Sequence, residues 1–175
     1  MVKRPSVRHA VTFGILLLYV PVVYKMVHIH PNENVYFNEL IGGLPGAMKH
    51  GLDGANNSYG NAYKQGVNWL NTHAEPGSTV AFGTGIFSAI PTTYYRKDLV
   101  LMADNSKLYQ QQGEYIIELD YPGMIVDDFF RMRFVKQFLK PVYKVSVDGI
   151  ALLYVWKNDK EHLLPGVQID NEVVV

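Results

Sequence analysis

Four groups of side chains in this sequence have types and spacing that chemistry uses. Glu118 and Asp120 stand two apart at the end of a short apolar run, YIIEL. Strand side chains alternate, so the two carboxylates share a face. Such a pair can do acid–base work or hold a divalent cation. Solvated acids at a strand end are commoner, and the sequence alone does not lift this pair above them. His28 and His30 flank Ile29. In an extended segment both imidazoles would face one way and could ligate a metal, but no third ligand stands nearby, so no metal site is expected. Gly83-Thr84-Gly85 follows a β-type run and precedes IFSAI. Strand, glycine turn and helix start is how a phosphate loop is built, yet there is no full G-x-G-x-x-G, no following lysine, and Pro91 intervenes. Arg131, Arg133 and Lys136 lie on the polar side of a helix pattern. They read either as a solvated face or as a surface for anionic headgroups or a lipid phosphate.

The totals narrow the field. The chain has 175 residues, enough for one domain with a real core. Its formal net charge is 0, which gives no basic field for a nucleic-acid partner. It has no cysteine, which excludes disulfides, cysteine nucleophiles and thiolate metal sites. Its 12 tyrosines suit half-wet surfaces, where the ring is covered and the hydroxyl is not. No Ser-His-Asp order, zinc spacing or glycosidase-like acid pair stands out, and no cofactor is expected.

Several elements must position these groups. Residues 60–73 carry Tyr63, Val67 and Leu70 at helical spacing, with Ala62, Gly66 and Trp69 on the adjoining row. Lys64, Gln65, Asn68 and Asn71 face away. Asn57 or Ser58 is expected to cap this helix, and residues 75–78 (EPGS) stop it. Trp69 reads as a core anchor. Short strands are expected at 79–83, 99–102 and 115–119, with a loop at 104–113. Residues 127–140 (DDFFRMRFVKQFLK) form an amphipathic helix with acids first and lysines last, as the helix dipole favours. Then 142–147 alternates, Asp148-Gly149 is a two-residue hairpin turn, and 150–156 returns. The second arm is almost wholly apolar, which places it inside the sheet and the first arm nearer an edge.

The N-terminal part is of another kind. Lys3, Arg4 and Arg8 precede a charge-free run from 10 to 24 that is apolar on every side. Counted as 7–27, it approaches the about 20 residues a membrane helix needs. Pro21 is tolerated in such a span, and Tyr19 and Tyr24 suit its interface. A signal peptide lacks its cleavage site here; a soluble core helix is within range at this length, yet the run has no polar stripe of the kind a helix packed on a soluble core shows. A membrane span is the preferred reading, and the positive-inside rule places the remainder outside the cytoplasm. Residues 30–47 follow, HPNENVYFNELIGGLPGA: apolar and aromatic, yet full of turn residues. An ordinary linker would be polar. Leu44-Pro45-Gly46-Ala47 is expected to form a type II turn, and residues 48–58 a loop.

A membrane helix followed by His30-Pro31, then Val35, Tyr36, Phe37 and Asn38, then Gly42-Gly43, resembles the C-terminal end of polyprenyl- or dolichyl-phosphate-sugar-dependent membrane glycosyltransferases. These are multi-span enzymes of the GT-C fold, related to protein O-mannosyltransferases and aminoarabinose transferases. A second patch keeps Gly60, Tyr63, Trp69, Leu70 and Asn71 of the family's pattern. It departs from it at Asn57, Ser58 and Tyr59, where an acid and two aromatics are expected. The likeness covers residues 10–90 with recognisable motifs. It implies that the catalytic acid lies in an early external loop outside these 175 residues, so no catalytic residue is nominated.

The combined expectation is an α/β chain: a basic tail and transmembrane helix at 1–27, an apolar collar and loop at 28–58, an extracytoplasmic α/β domain at 59–160 and a tail at 161–175. The sheet is mixed, with early parallel strands and a late antiparallel hairpin. The expected role is that of a membrane transferase's outer domain, non-catalytic by itself. Its partners would be the membrane, the enzyme's other transmembrane part and a polyprenyl-phosphate sugar donor. The alternative is a membrane-anchored, non-enzymatic binding module.

Overall fold

The structure is a computed structural model that describes residues 7–83, 91–102, 114–120 and 135–167. The first element is helix α1, Val7–Ile29, 23 residues long. At 1.5 Å per residue it extends about 35 Å, enough for a hydrocarbon core of about 30 Å. It is long and apolar enough to cross a membrane, and large apolar side chains such as Phe13, Leu18 and Val20 stand exposed along it. Only its last residue, Ile29, joins the core of the domain.

Among the described residues five strands form one mixed sheet: β1 Thr79–Phe82, β2 Val100–Met102, β3 Tyr115–Leu119, β4 Pro141–Val147 and β5 Ile150–Lys157. The spatial order is β2-β1-β3-β5-β4. β1 runs parallel to β2 and to β3, while β5 is antiparallel to both β3 and β4. The nearly continuous apolar run of β5 is therefore interior and β4 is the edge. Asp148 and Gly149 both take positive φ, 51° and 82°, as a type I′ hairpin turn requires.

Helix α3, Gly60–His73, covers one face of the sheet. Its buried residues Ala62, Tyr63, Gly66, Val67 and Leu70 lie on one stripe. They share a core with Val80, Ile117, Leu153 and Val155. Gly66 is the point of closest approach: a Cβ there would stand 2.7 Å from Ile117 Cδ1 and 2.8 Å from Leu153 Cδ2. Both atoms are flexible side-chain ends, so Gly66→Ala is expected to cost about 1–3 kcal/mol. Ile117→Val removes one obstacle, and the pair should recover part of that loss in a double-mutant cycle of thermal unfolding. On the other face Ala81, Ile116 and Trp156 meet Val135 and Leu139.

Three local expectations are corrected. Residues 44–47 are not a type II turn but part of helix α2, Gly43–Lys49, which also takes the start of the expected 48–58 loop. Pro45 is compatible with that helix because first-turn N–H groups have no intrahelical partner. Neither Asn57 nor Ser58 caps α3: the capping position is Tyr59, at φ 47°, with no side-chain cap. Asn57 Oδ1 instead accepts from Tyr59 N at 3.1 Å. Of the helix expected at 127–140, residues 135–138 are helical and Leu139 then bridges to Leu163. The remainder of that helix, the 84–90 and 104–113 segments, the basic tail at 1–6 and residues 168–175 lie outside the described residues.

Candidate functional site

The parallel strands define one end of the sheet. Gly83 N donates to Ile117 O at 3.0 Å, so the C-terminal ends of β1 and β3 lie side by side. β1 has β2 on one side and β3 on the other, which makes this the point where the strand order reverses. Open α/β sheets take ligands in the crevice outside such strand ends. Because β5 is antiparallel to β3, with Leu119 opposite Leu153, the Asp148-Gly149 turn lies at this same end.

The carboxylate pair sits here. Glu118 is on β3 and only 6% exposed, while Asp120 is half-buried just beyond it. Lys136 Nζ stands 3.4 Å from Glu118 Oε2 and 3.6 Å from Asp120 Oδ1. Tyr154 is opposite Glu118 on β5. Burial pushes the Glu118 carboxyl up to about 7, against the attraction of Lys136, and the Asp120 charge adds to the rise. A half-protonated acid near neutral pH, beside one cation and a second acid, is equipped to exchange a proton or accept a hydrogen bond. The expectation that both acids are solvated is therefore corrected for Glu118. Its strand is interior to the sheet, and residues 135–139 lie on that face.

No protein-family model, curated protein or solved structure matches the chain.

The collar reaches the same end of the sheet. Lys25, one turn before the end of α1, forms an ion pair with Asp148 of the hairpin turn. Gly43 adjoins it: a Cβ at Gly43 would lie 3.7 Å from Asp148 Oδ2. Val35, Gly43, Leu44 and Ala47 are buried, and Tyr36 and Phe37 pack half-buried against the main core. Leu40, by contrast, is 98% exposed. Asn38 is exposed, and its side chain accepts from Leu40 N and Ile41 N, closing the 3-10 turn Glu39–Ile41. His30 pairs with Glu33, while Pro31 is half-buried beside it. His28 remains in α1, so the two histidines do not converge, and among the described residues no group of three or more potential ligands could hold a metal.

The second motif is structural where it is described. Gly60 starts α3 and Tyr63 is fully buried. Trp69 is half-buried, sandwiched between His73 at 4.7 Å and Tyr143 at 5.3 Å between ring centres, so it anchors the helix to edge strand β4 rather than filling the core centre. Of the face expected to point away, Gln65 and Asn71 are half-buried and bonded, to Asn32 Oδ1 at 3.1 Å and to Tyr94 O at 2.8 Å. Lys136 is described above; Arg131 and Arg133 lie outside the described residues.

Sequence reasoning missed three buried polar residues that join collar to domain. Asn32 Oδ1 accepts from both Ser58 Oγ and Gln65 Nε2. Asn56 Nδ2 donates to Asp120 O and to Ala151 O, the latter at 3.1 Å, tying the loop before α3 to β3 and β5. The one available signal was the density of Asn and Ser at 56–58 next to a helix start, which also describes any polar loop. At the opposite end of the sheet, Glu75 accepts from Lys157 at 2.6 Å and from Tyr115 at 2.8 Å. Chiefly through the Lys157 bond, its carboxyl is held down at about 2.

Proposed function

We propose that this chain is the last membrane helix and extracytoplasmic domain of a glycosyltransferase that takes its sugar from a polyprenyl-phosphate donor, and that it is non-catalytic by itself. One observation carries the reading. The residues on which the resemblance rests, His30 to Asn38 with Gly42 and Gly43, form a built junction between an exposed apolar helix and an α/β domain rather than a solvated linker. In that role the domain closes over the membrane cavity of the enzyme, or holds the acceptor, while α1 crosses the bilayer with residues 28–175 outside. The catalytic acid is supplied by an early external loop between other membrane helices of the enzyme.

A second reading has its own support. Glu118, Asp120 and Lys136 occupy the end of a sheet where α/β folds take small ligands. That arrangement suits a membrane-anchored binding module that performs no chemistry. The coding sequence upstream of Met1 separates the two: several hundred in-frame codons rich in apolar spans support the transferase, and a promoter with a start site there supports the module. The isolated chain, assayed with polyprenyl-phosphate-mannose and a peptide or lipid acceptor, is expected to give no transfer. Turnover by this chain would overturn the assignment of the chemistry to another region.

A further inference from the structure

We infer that the Glu39–Ile41 turn is a second membrane contact, which inserts Leu40 into the interfacial layer of the bilayer beside α1. This rests on the reading of α1 as a membrane span and adds to it a contact by the domain.

Leu40 is the most exposed of the large apolar side chains described, 98% against 51–73% for those at 15–20 in α1 itself. A single exposed leucine is ordinary on a soluble surface; Leu40 is set apart by its place and its rigidity. Its place follows from a short chain of contacts. Lys25 belongs to the last turns of α1 and pairs with Asp148. Gly43 adjoins Asp148, and Leu40 is three residues from Gly43, a reach of at most about 11 Å. The turn is therefore held within a short reach of the place where α1 leaves its apolar run.

Its rigidity follows from four hydrogen bonds. Asn38 Oδ1 accepts from Leu40 N at 3.1 Å and Ile41 N at 3.3 Å. Gly42 N donates to Glu39 O and Gly43 N to Asn38 O, each at 3.1 Å. A turn closed this tightly presents its apical side chain at little further entropic cost, as an anchor should. Among the described residues nothing of the domain covers that side chain. Lipid is the occupant because α1 delivers the turn to the bilayer surface, and the boundary between headgroups and acyl chains receives isolated apolar side chains.

The chain has no native cysteine, so single labels are unambiguous. Leu40→Cys, Leu18→Cys and Val100→Cys, each carrying a nitroxide, would be reconstituted as the full chain into phosphatidylcholine–phosphatidylglycerol vesicles. Collision with oxygen and with a water-soluble nickel chelate then reports depth. Leu18 marks the middle of α1, and Val100, 55% exposed at the far end of the parallel strands, marks water. The label at 40 is expected to be at least threefold more accessible to oxygen, relative to nickel, than the label at 100. A ratio equal to that at 100, with position 18 protected, overturns the Leu40 contact and leaves the span intact. Exclusion of both reagents at 40 would mean a protein neighbour and overturns it as well. Nickel access at 18 would remove the span and the inference together.

Discussion

Gly46→Ala is expected to unseat the collar. A Cβ at Gly46 would stand 1.7 Å from Ile41 O and 2.6 Å from Ile41 C. Both are backbone atoms, so no rotamer change relieves the overlap. The turn at Glu39–Ile41 and helix α2 would have to separate, breaking the Gly46 N to Gly42 O bond of 3.0 Å. Leu44 and Ala47, buried in the main core, would move with it. Overpacking that side chains can absorb costs about 1–3 kcal/mol. An overlap with fixed backbone belongs to the rarer class above about 4 kcal/mol. For a chain of this size that is a fall in Tm of about 8 °C or more. Thermal unfolding in detergent micelles measures it, and an unchanged Tm would contradict the tight crossing of backbone at this point.

The second large effect depends on pH. The Glu118 carboxyl titrates at about 7 in the folded chain, against 4.5 ordinarily, because burial disfavours its charge. Below pH 4.5 both folded and unfolded chains hold the proton, and no penalty exists. Between there and pH 7 the unfolded chain releases it while the folded chain keeps it, so stability falls as pH rises. Above 7 the full cost, on the order of 3 kcal/mol, is present. Glu118→Gln does not ionise. Its Tm relative to the parent is therefore expected to climb by several degrees from pH 5 upward and to level off above about 7. A difference that stays flat over this range would show that the carboxyl is solvated after all. Glu75 works in the opposite sense: its depressed carboxyl adds stability above its ordinary value of 4.5 that is lost as pH falls toward 2, well away from the Glu118 window.

Much of the fold could be read from local pattern because the informative residues act locally. The spacing of Tyr63, Val67 and Leu70 delimits α3, and its limits agree with the structure at 60 and 73. Asp148-Gly149 specifies its hairpin through backbone preferences alone, and the apolar run of β5 reveals an interior strand. Helix α2 was not legible. Three of its first four residues are Gly43, Pro45 and Gly46, which ordinarily break helices, and tertiary packing of Leu44 and Ala47 overrides that preference. The burial of Glu118 was hidden for a related reason: it depends on β5 and on residues 135–139, which lie 17 or more positions away. Ser58 reads as a departure from a motif or as a helix cap, whereas its hydroxyl bonds Asn32 of the collar.

Where α1 crosses a membrane, as proposed, the ion pair between Lys25 and Asp148 constrains how the domain sits on the bilayer. With Ile29 embedded in the core and Lys25 paired with the hairpin, α1 is tied to the domain at two points one turn apart. A helix about 35 Å long accommodates a thinner bilayer by tilting. A junction held at both points passes that tilt on to the domain. It rotates the whole sheet, and the end bearing Glu118 and Asp120 changes its angle to the lipid surface. Bilayer thickness thereby becomes a variable that this fold converts into the orientation of its carboxylate-bearing sheet end.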